Sequence, residues 1–216
     1  MIAEFNFQNQ KSHRMKLFQT GAIVLCASVM ALTATAQKLK LIEGDLSILK
    51  SESSINTSFA YDNLSVGKFD KESEYIAKKK ADYNAKEAGK GDKWAKDWVN
   101  DRPDKFEPKF NELFAKSSEL TITPGDKQTA KYTLIFKTTA MEPGFNVGIS
   151  RKNAEIDGEV WIVETANKQK PIAKISVQNA LGRTFWGSDY DTGVRLAECY
   201  ADAGKAVGSF IKKKTS

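Results

Sequence analysis

The chain has 216 residues, with 33 Lys and Arg against 27 Asp and Glu; it is 41% hydrophobic, 10% aromatic and 28% charged. These globular proportions exclude a collagen-like repeat, wholesale disorder and a polytopic membrane protein. Its one histidine, His13, and one of its two cysteines, Cys26, lie near the start; the other cysteine is Cys199.

The N-terminal segment reads as an address. Lys16 follows Met15, Arg14 precedes it, and an uncharged apolar run extends from about Gly21 to Leu32. Ala34-Thr35-Ala36 then places small residues before a cut at Gln37. A positive flank, roughly 7–15 apolar residues and an A-x-A exit describe a secretory signal peptide. The run falls short of the ~20 residues needed to cross a bilayer, so no membrane span is expected in the mature form. Glu4 and the polar stretch ahead of Arg14 do not fit such a leader, which makes Met15 the expected initiator. Leu25 stands where a lipid-anchor signal needs a small residue before Cys26, so no anchor is expected. The expected organisation is a leader over 1–36, with the signal peptide at 15–36, and one domain over 37–216 with a helical insertion at about 70–117. The expected location is periplasmic or extracellular.

Residues 1–36 hold three basic side chains, one acidic one and the histidine; the 180 residues that follow carry 30 basic and 26 acidic groups, net +4, and a single thiol. Ser-His-Asp, Cys-His and histidine-based zinc chemistries are therefore excluded, as is an internal disulfide. No phosphate loop, dinucleotide fingerprint, nucleophile elbow or calcium loop occurs. Carboxylate chemistry remains, with Asp189 and Asp191 of WGSDYDTG as the best pair and Glu164 and Glu142 behind them. The same segment reads as a helix start, Ser188 capping and Asp191 three residues on, and that reading is preferred. No enzyme activity, cofactor or metal is expected.

In chain order, KLKLIEGDLSILK (38–50) alternates as a strand with a bend near Gly44, and SINTSFAY (54–61) is a second strand. Leu64–Phe69 extends it or connects onward. From Asp70 the composition turns to Lys, Glu and Ala. Tyr75, Ile76, Lys79 and Tyr83 form a thin apolar stripe on a charged helix, Trp94 and Trp98 share a helical face, and Phe106, Phe110, Leu113 and Phe114 mark another amphipathic helix. Gly89, Gly91, Pro103 and Pro108 punctuate this region. Its lysines (Lys78, Lys79, Lys80, Lys86, Lys90, Lys93, Lys96) are interleaved with acids, so a solvated face is expected and nucleic acid is not.

ELTIT (119–123) reads as a short strand, KYTLIFKTT (131–139) as a central one, and Glu142-Pro143-Gly144 as a type II turn. After the FNVGISRKN loop come a long strand over 154–165, a polar connection at 166–170 and a partner strand over 171–179. The last helix, 192–212, carries Val194, Ala197, Ala201, Gly204, Gly208 and Ile211 on one face, small enough to lie close against a sheet. Cys199, on a flank with Leu196, Ala203, Ala206 and Phe210, is expected to be a buried apolar group. This order predicts an α+β fold (or an open α/β sandwich), with a mostly antiparallel sheet and helices packed on one side.

The YTLIFKTT strand, EPGFNVG, Arg151, the strand pair around a polar turn and the Ala/Gly-rich last helix resemble in layout bacterial envelope families of glycine-rich secreted proteins and lipoproteins. They are similar in layout to the α/β modules of the TolB N-terminal domain and the penicillin-binding-protein activators. The resemblance implies an adaptor or assembly role and carries no catalytic residues. The chain departs from it in lacking a lipid-anchor cysteine and in its lysine-rich helical insert.

The expected function is a secreted, non-enzymatic binding or adaptor module of the bacterial envelope, its partner an envelope protein or glycan. The alternative is a glycan or small-ligand binder using exposed aromatics, with Trp186, Trp161, Asp189 and Arg151 as the ligand residues. It requires Trp186, Trp161 and the 142–153 loop to share a concave, solvent-facing surface. A carboxylate-based hydrolase is the second alternative.

Overall fold

Period-two alternation builds the strands beyond Gln37, and register decides which of them meet. The computed structural model describes residues 37–123, 129–147, 150–182 and 192–216. The strands are β1 (Lys38–Gly44), β2 (Ser54–Ala60), β3 (Ser65–Val66), β4 (Thr121–Thr123), β5 (Tyr132–Glu142), β6 (Phe145–Val147), β7 (Ser150–Lys152), β8 (Ala154–Glu164) and β9 (Asn167–Gly182). The α-helices are α1 (Glu72–Lys86), α2 (Lys90–Asp101), α3 (Glu107–Ser118) and α4 (Gly193–Thr215). The main sheet runs β1-β9-β8-β5-β2-β4, with β3 also paired to β5. The fold is α+β.

The antiparallel half is the meander β5–β8–β9, closed at its edge by β1. In contrast, β2 and β3 both run parallel to β5, and β4 runs parallel to β2. Parallel neighbours need a long crossover, and α1, α2 and α3 lie on it between β3 and β4. The lysine-rich insert is thus the connection that makes the parallel half possible.

One sheet face lies beneath α3 and α4. Leu134, Phe136, Val160, Ile162, Ile175 and Val177 from the strands are fully buried, with Leu196, Cys199, Tyr200, Ala203 and Val207 from α4. Phe110 of α3 sets its ring 5.0 Å from Phe136, and Tyr200 stacks on Phe106 at 5.0 Å. Each side chain of this size contributes about 1.5–3 kcal/mol when fully buried.

Four sequence expectations are corrected. The small-residue face of α4 meets α3 rather than the sheet: a Cβ on Gly204 would stand 2.3 Å from the Phe110 carbonyl oxygen, and one on Gly208 2.7 Å from that of Phe114. Val194, placed on that face, is 39% exposed. Pro103 does not end the helical path, because a π turn, Arg102–Phe106, joins α2 to α3; the wider turn accommodates the missing N–H. The connection between β8 and β9 is only Thr165-Ala166, and β9 starts at Asn167. Its polar start lies beyond the reach of β1, and Pro171 falls at a register slip, where a strand tolerates proline.

The turn expected at Glu142-Pro143-Gly144 forms with Gly144 at φ +64. A Cβ there would lie 2.5 Å from the Lys152 carbonyl oxygen. This turn projects the β6–β7 hairpin beyond the end of β5.

Candidate functional site

The hairpin, β3 and the first turns of α1 enclose a groove of about 340 Å³. Phe69, Tyr75 and Phe145 supply its aromatic surface, and Lys68, Lys79 and Lys152 line it with positive charge. The local chain fixes each of them. The backbone N–H groups of Val66 and Phe69 donate to each other's carbonyls at 2.9 and 3.0 Å, so Lys68 sits in a tight turn. On α1, Lys79 is one turn from both Tyr75 and Tyr83; its Nζ lies 6.0 Å and 5.7 Å from their ring centroids. The Tyr75 ring is itself fixed by Phe69 at 6.0 Å and Trp98 at 5.0 Å. Phe145 remains 37% exposed.

Two of the three lysines that line this groove stand outside any ion pair among the described residues. Lys152 is held by Glu142 at 2.7 Å. Lys68 and Lys79 have no carboxylate within ion-pair distance among the described residues. Around them, Lys78 pairs with Asp82, Lys80 with Asp92, Lys90 with Glu87 and Lys93 with Asp97. The interleaved helix face is neutralised in part, Lys86 and Lys96 having no ion pair among the described residues, while the lysine on its apolar stripe lines the groove.

A second concavity, about 300 Å³, lies beside the α2 end of the π turn and the start of α4. Here charges are matched locally: Asp97 takes Lys93 at 2.5 Å and Asp101 takes Lys105 at 2.9 Å. Oδ2 of Asp101 lies 1.9 Å from where a Cβ on Gly193 would stand, so its negative charge sits at the positive end of α4.

Polar contacts join the helices to the sheet. Thr138 and Tyr200 share a hydrogen bond at 2.7 Å, and Tyr61 donates to Glu107 Oε1 at 3.3 Å. The Arg102 guanidinium covers the Tyr61 ring at 4.2 Å and pairs with Glu72, which also accepts Trp98 Nε1 at 2.6 Å. Burial pushes both tyrosine pKa values far up, so their hydroxyls stay protonated as structural links. Burial likewise raises the Glu107 carboxyl.

Of the residues read from the sequence, Trp161 and Arg151 are described; Trp186, Asp189, Asp191 and Ser188 lie outside the described residues. Trp161 is part-exposed on the sheet face opposite α3 and α4. Its Nε1 donates to Glu159 Oε2 at 2.8 Å, with Lys137 Nζ 3.8 Å and Lys174 Nζ 5.0 Å from its ring centroid. Arg151 is exposed on β7. Glu142 stands opposite Glu155, six residues before Trp161 on β8, or ~20 Å along the strand. Trp161 and the 142–152 hairpin therefore do not form one concave surface. Glu142 and Glu164 are separated by nine residues of β8, ~30 Å, too far for the ~5–10 Å of a glycosidase carboxylate pair. Cys199 is buried as expected, its thiol pushed up by desolvation.

No family model matches the chain, and no curated protein matches it. Among solved structures it is similar to the PelC dodecamer from Paraburkholderia phytofirmans, at 8% identity and TM-score 0.33 over 77% of this chain and 96% of that one. A point variant of the PelC dodecamer from the same organism gives 8% identity and TM-score 0.32 over the same shares. So slight a likeness carries no argument about what this chain does or how it assembles.

Sequence reasoning missed Lys68, Phe69 and Phe145. Its one usable signal was Lys79, a cation standing four residues from Tyr75 and from Tyr83 within an otherwise apolar stripe.

Proposed function

We propose that the protein is an exported, non-enzymatic binding or adaptor module of the bacterial cell envelope. The leader before Gln37 supports the export. The observation that carries the binding role is the aromatic groove with two lysines, Lys68 and Lys79, that lack a carboxylate among the described residues. Uncompensated cations beside an apolar floor attract an anionic partner and orient it, and the apolar contact retains it. The turn at Pro143-Gly144, the paired backbone of 66–69 and the ring cluster behind Tyr75 hold these groups in place before anything binds. Ordering costs at binding are correspondingly small.

Size-exclusion chromatography of a gently solubilised envelope fraction tests this reading. The parent protein is expected to elute in a larger assembly, and the Lys68→Glu/Lys79→Glu variant as a free chain. A parent that elutes alone at native levels contradicts it.

A second reading, glycan or small-ligand binding on exposed aromatics, is supported by Trp161, whose indole is fixed by Glu159 and flanked by two lysines. Stacking there requires Lys137 to move off the ring. A peptidoglycan-fragment titration monitored by tryptophan fluorescence, with Trp161→Phe as control, tests it; a flat response in the parent retires it.

A further inference from the structure

We infer that the groove takes an acidic peptide segment, seating an apolar side chain against Phe69, Tyr75 and Phe145 and flanking carboxylates on Lys68 and Lys79. The inference rests on the binding reading above and names the partner's chemistry.

Charge comes first. Of the three lysines lining the groove, only Lys152 is neutralised, by Glu142. The two others stand on separate elements that line the groove, the 66–69 turn and α1, so an acidic segment laid in it meets both. A cation-bearing partner would meet them without compensation.

The choice of peptide over acidic sugar follows from the rings and the hairpin. A sugar stacks on an open aromatic face. Tyr75 offers none: it is 6% exposed, with Lys79 on its ring and Trp94 and Trp98 behind it at 5.8 and 5.0 Å. Ring edges and a half-exposed Phe145 suit an aliphatic or aromatic side chain instead. Phe145 and Val147, alternate residues of β6, are 37% and 59% exposed on the hairpin, apolar side chains that a peptide laid beside them covers with its own.

Three probes test the inference by backbone amide NMR on the purified protein: acetyl-Glu-Glu-Phe-Glu-Glu-amide, its lysine counterpart acetyl-Lys-Lys-Phe-Lys-Lys-amide, and trigalacturonate. The acidic peptide is expected to shift the amides of Gly67, Lys68, Phe69 and Phe145–Val147, and to weaken as salt rises. Lys68→Glu/Lys79→Glu should lose at least tenfold in affinity with an unchanged circular dichroism spectrum. Lys79→Gln, which keeps the stem of the side chain, should lose a smaller but measurable part. Equal binding of the basic peptide overturns the inference. Trigalacturonate shifting the same amides while the acidic peptide does not overturns the peptide assignment and leaves the binding groove standing. Silence from all three probes, with an envelope assembly that survives charge reversal, removes both.

Discussion

The hydroxyls of Thr138 on β5 and Tyr200 on α4 lie 2.7 Å apart inside the core, both essentially excluded from solvent. The bond ties the sheet to the C-terminal helix, and Tyr61 separately donates to Glu107 at the start of α3. Tyr200→Phe keeps the stack on Phe106 but leaves the Thr138 hydroxyl without its partner. A loss of about 1–3 kcal/mol is expected, read as a lower urea midpoint at unchanged slope; an unmoved midpoint contradicts the structural role.

The crossing of α3 and α4 depends on absent side chains. Gly204→Ala places a methyl 2.3 Å from the Phe110 carbonyl oxygen. Overpacking of this kind costs about 1–3 kcal/mol, whereas Ser209→Ala, exposed on the same helix, should change stability by less than ~0.5 kcal/mol. Thermal unfolding of the two variants side by side separates them. Equal melting temperatures would show that the helices are not held this close.

Cys199 is fully buried, and its Sγ–H donates to the Arg195 carbonyl at 3.4 Å. Desolvation raises its pKa well above that of a free thiol, so thiolate is scarce at neutral pH. A thiol reagent should label the native protein only as fast as it opens, and label it at once in denaturant. Rapid stoichiometric labelling of the native form would contradict this.

Glu107 gives a pH dependence. Burial raises its folded-state pKa above the ordinary 4.5, so the folded protein holds this proton more tightly than the unfolded chain. The resulting stability is full below the ordinary value and is lost as pH rises through the raised one. Glu107→Gln removes the loss while keeping an acceptor for Tyr61. The variant is expected to melt higher than the parent at pH 7 and equally at about pH 3; a constant difference across that range contradicts the assignment.

Much of the fold was legible because its signals are local. The alternation in 132–139 and 154–164, the Trp94/Trp98 and Phe106/Phe110/Phe114 spacings and the Pro143-Gly144 turn each report on their own neighbours. Pairing across the chain was not legible: nothing in SINTSFAY says that it runs parallel to YTLIFKTT, and only that pairing turns the lysine-rich segment into a crossover. The small-residue stripe of α4 announced a close approach without saying to what. The groove was hidden for the same reason. Lys68, Lys79 and Phe145 come from three separate elements, and their shared surface exists only once β3 and β5 are in register.

Photocross-linking from position 145 tests the claim that this groove is the working surface. A benzophenone side chain replaces Phe145, and separately Trp161, in the protein expressed in its native cells. The account expects a discrete adduct from position 145 that disappears in the Lys68→Glu/Lys79→Glu background. An adduct from 145 that persists after charge reversal, or one that forms only from 161, would contradict it.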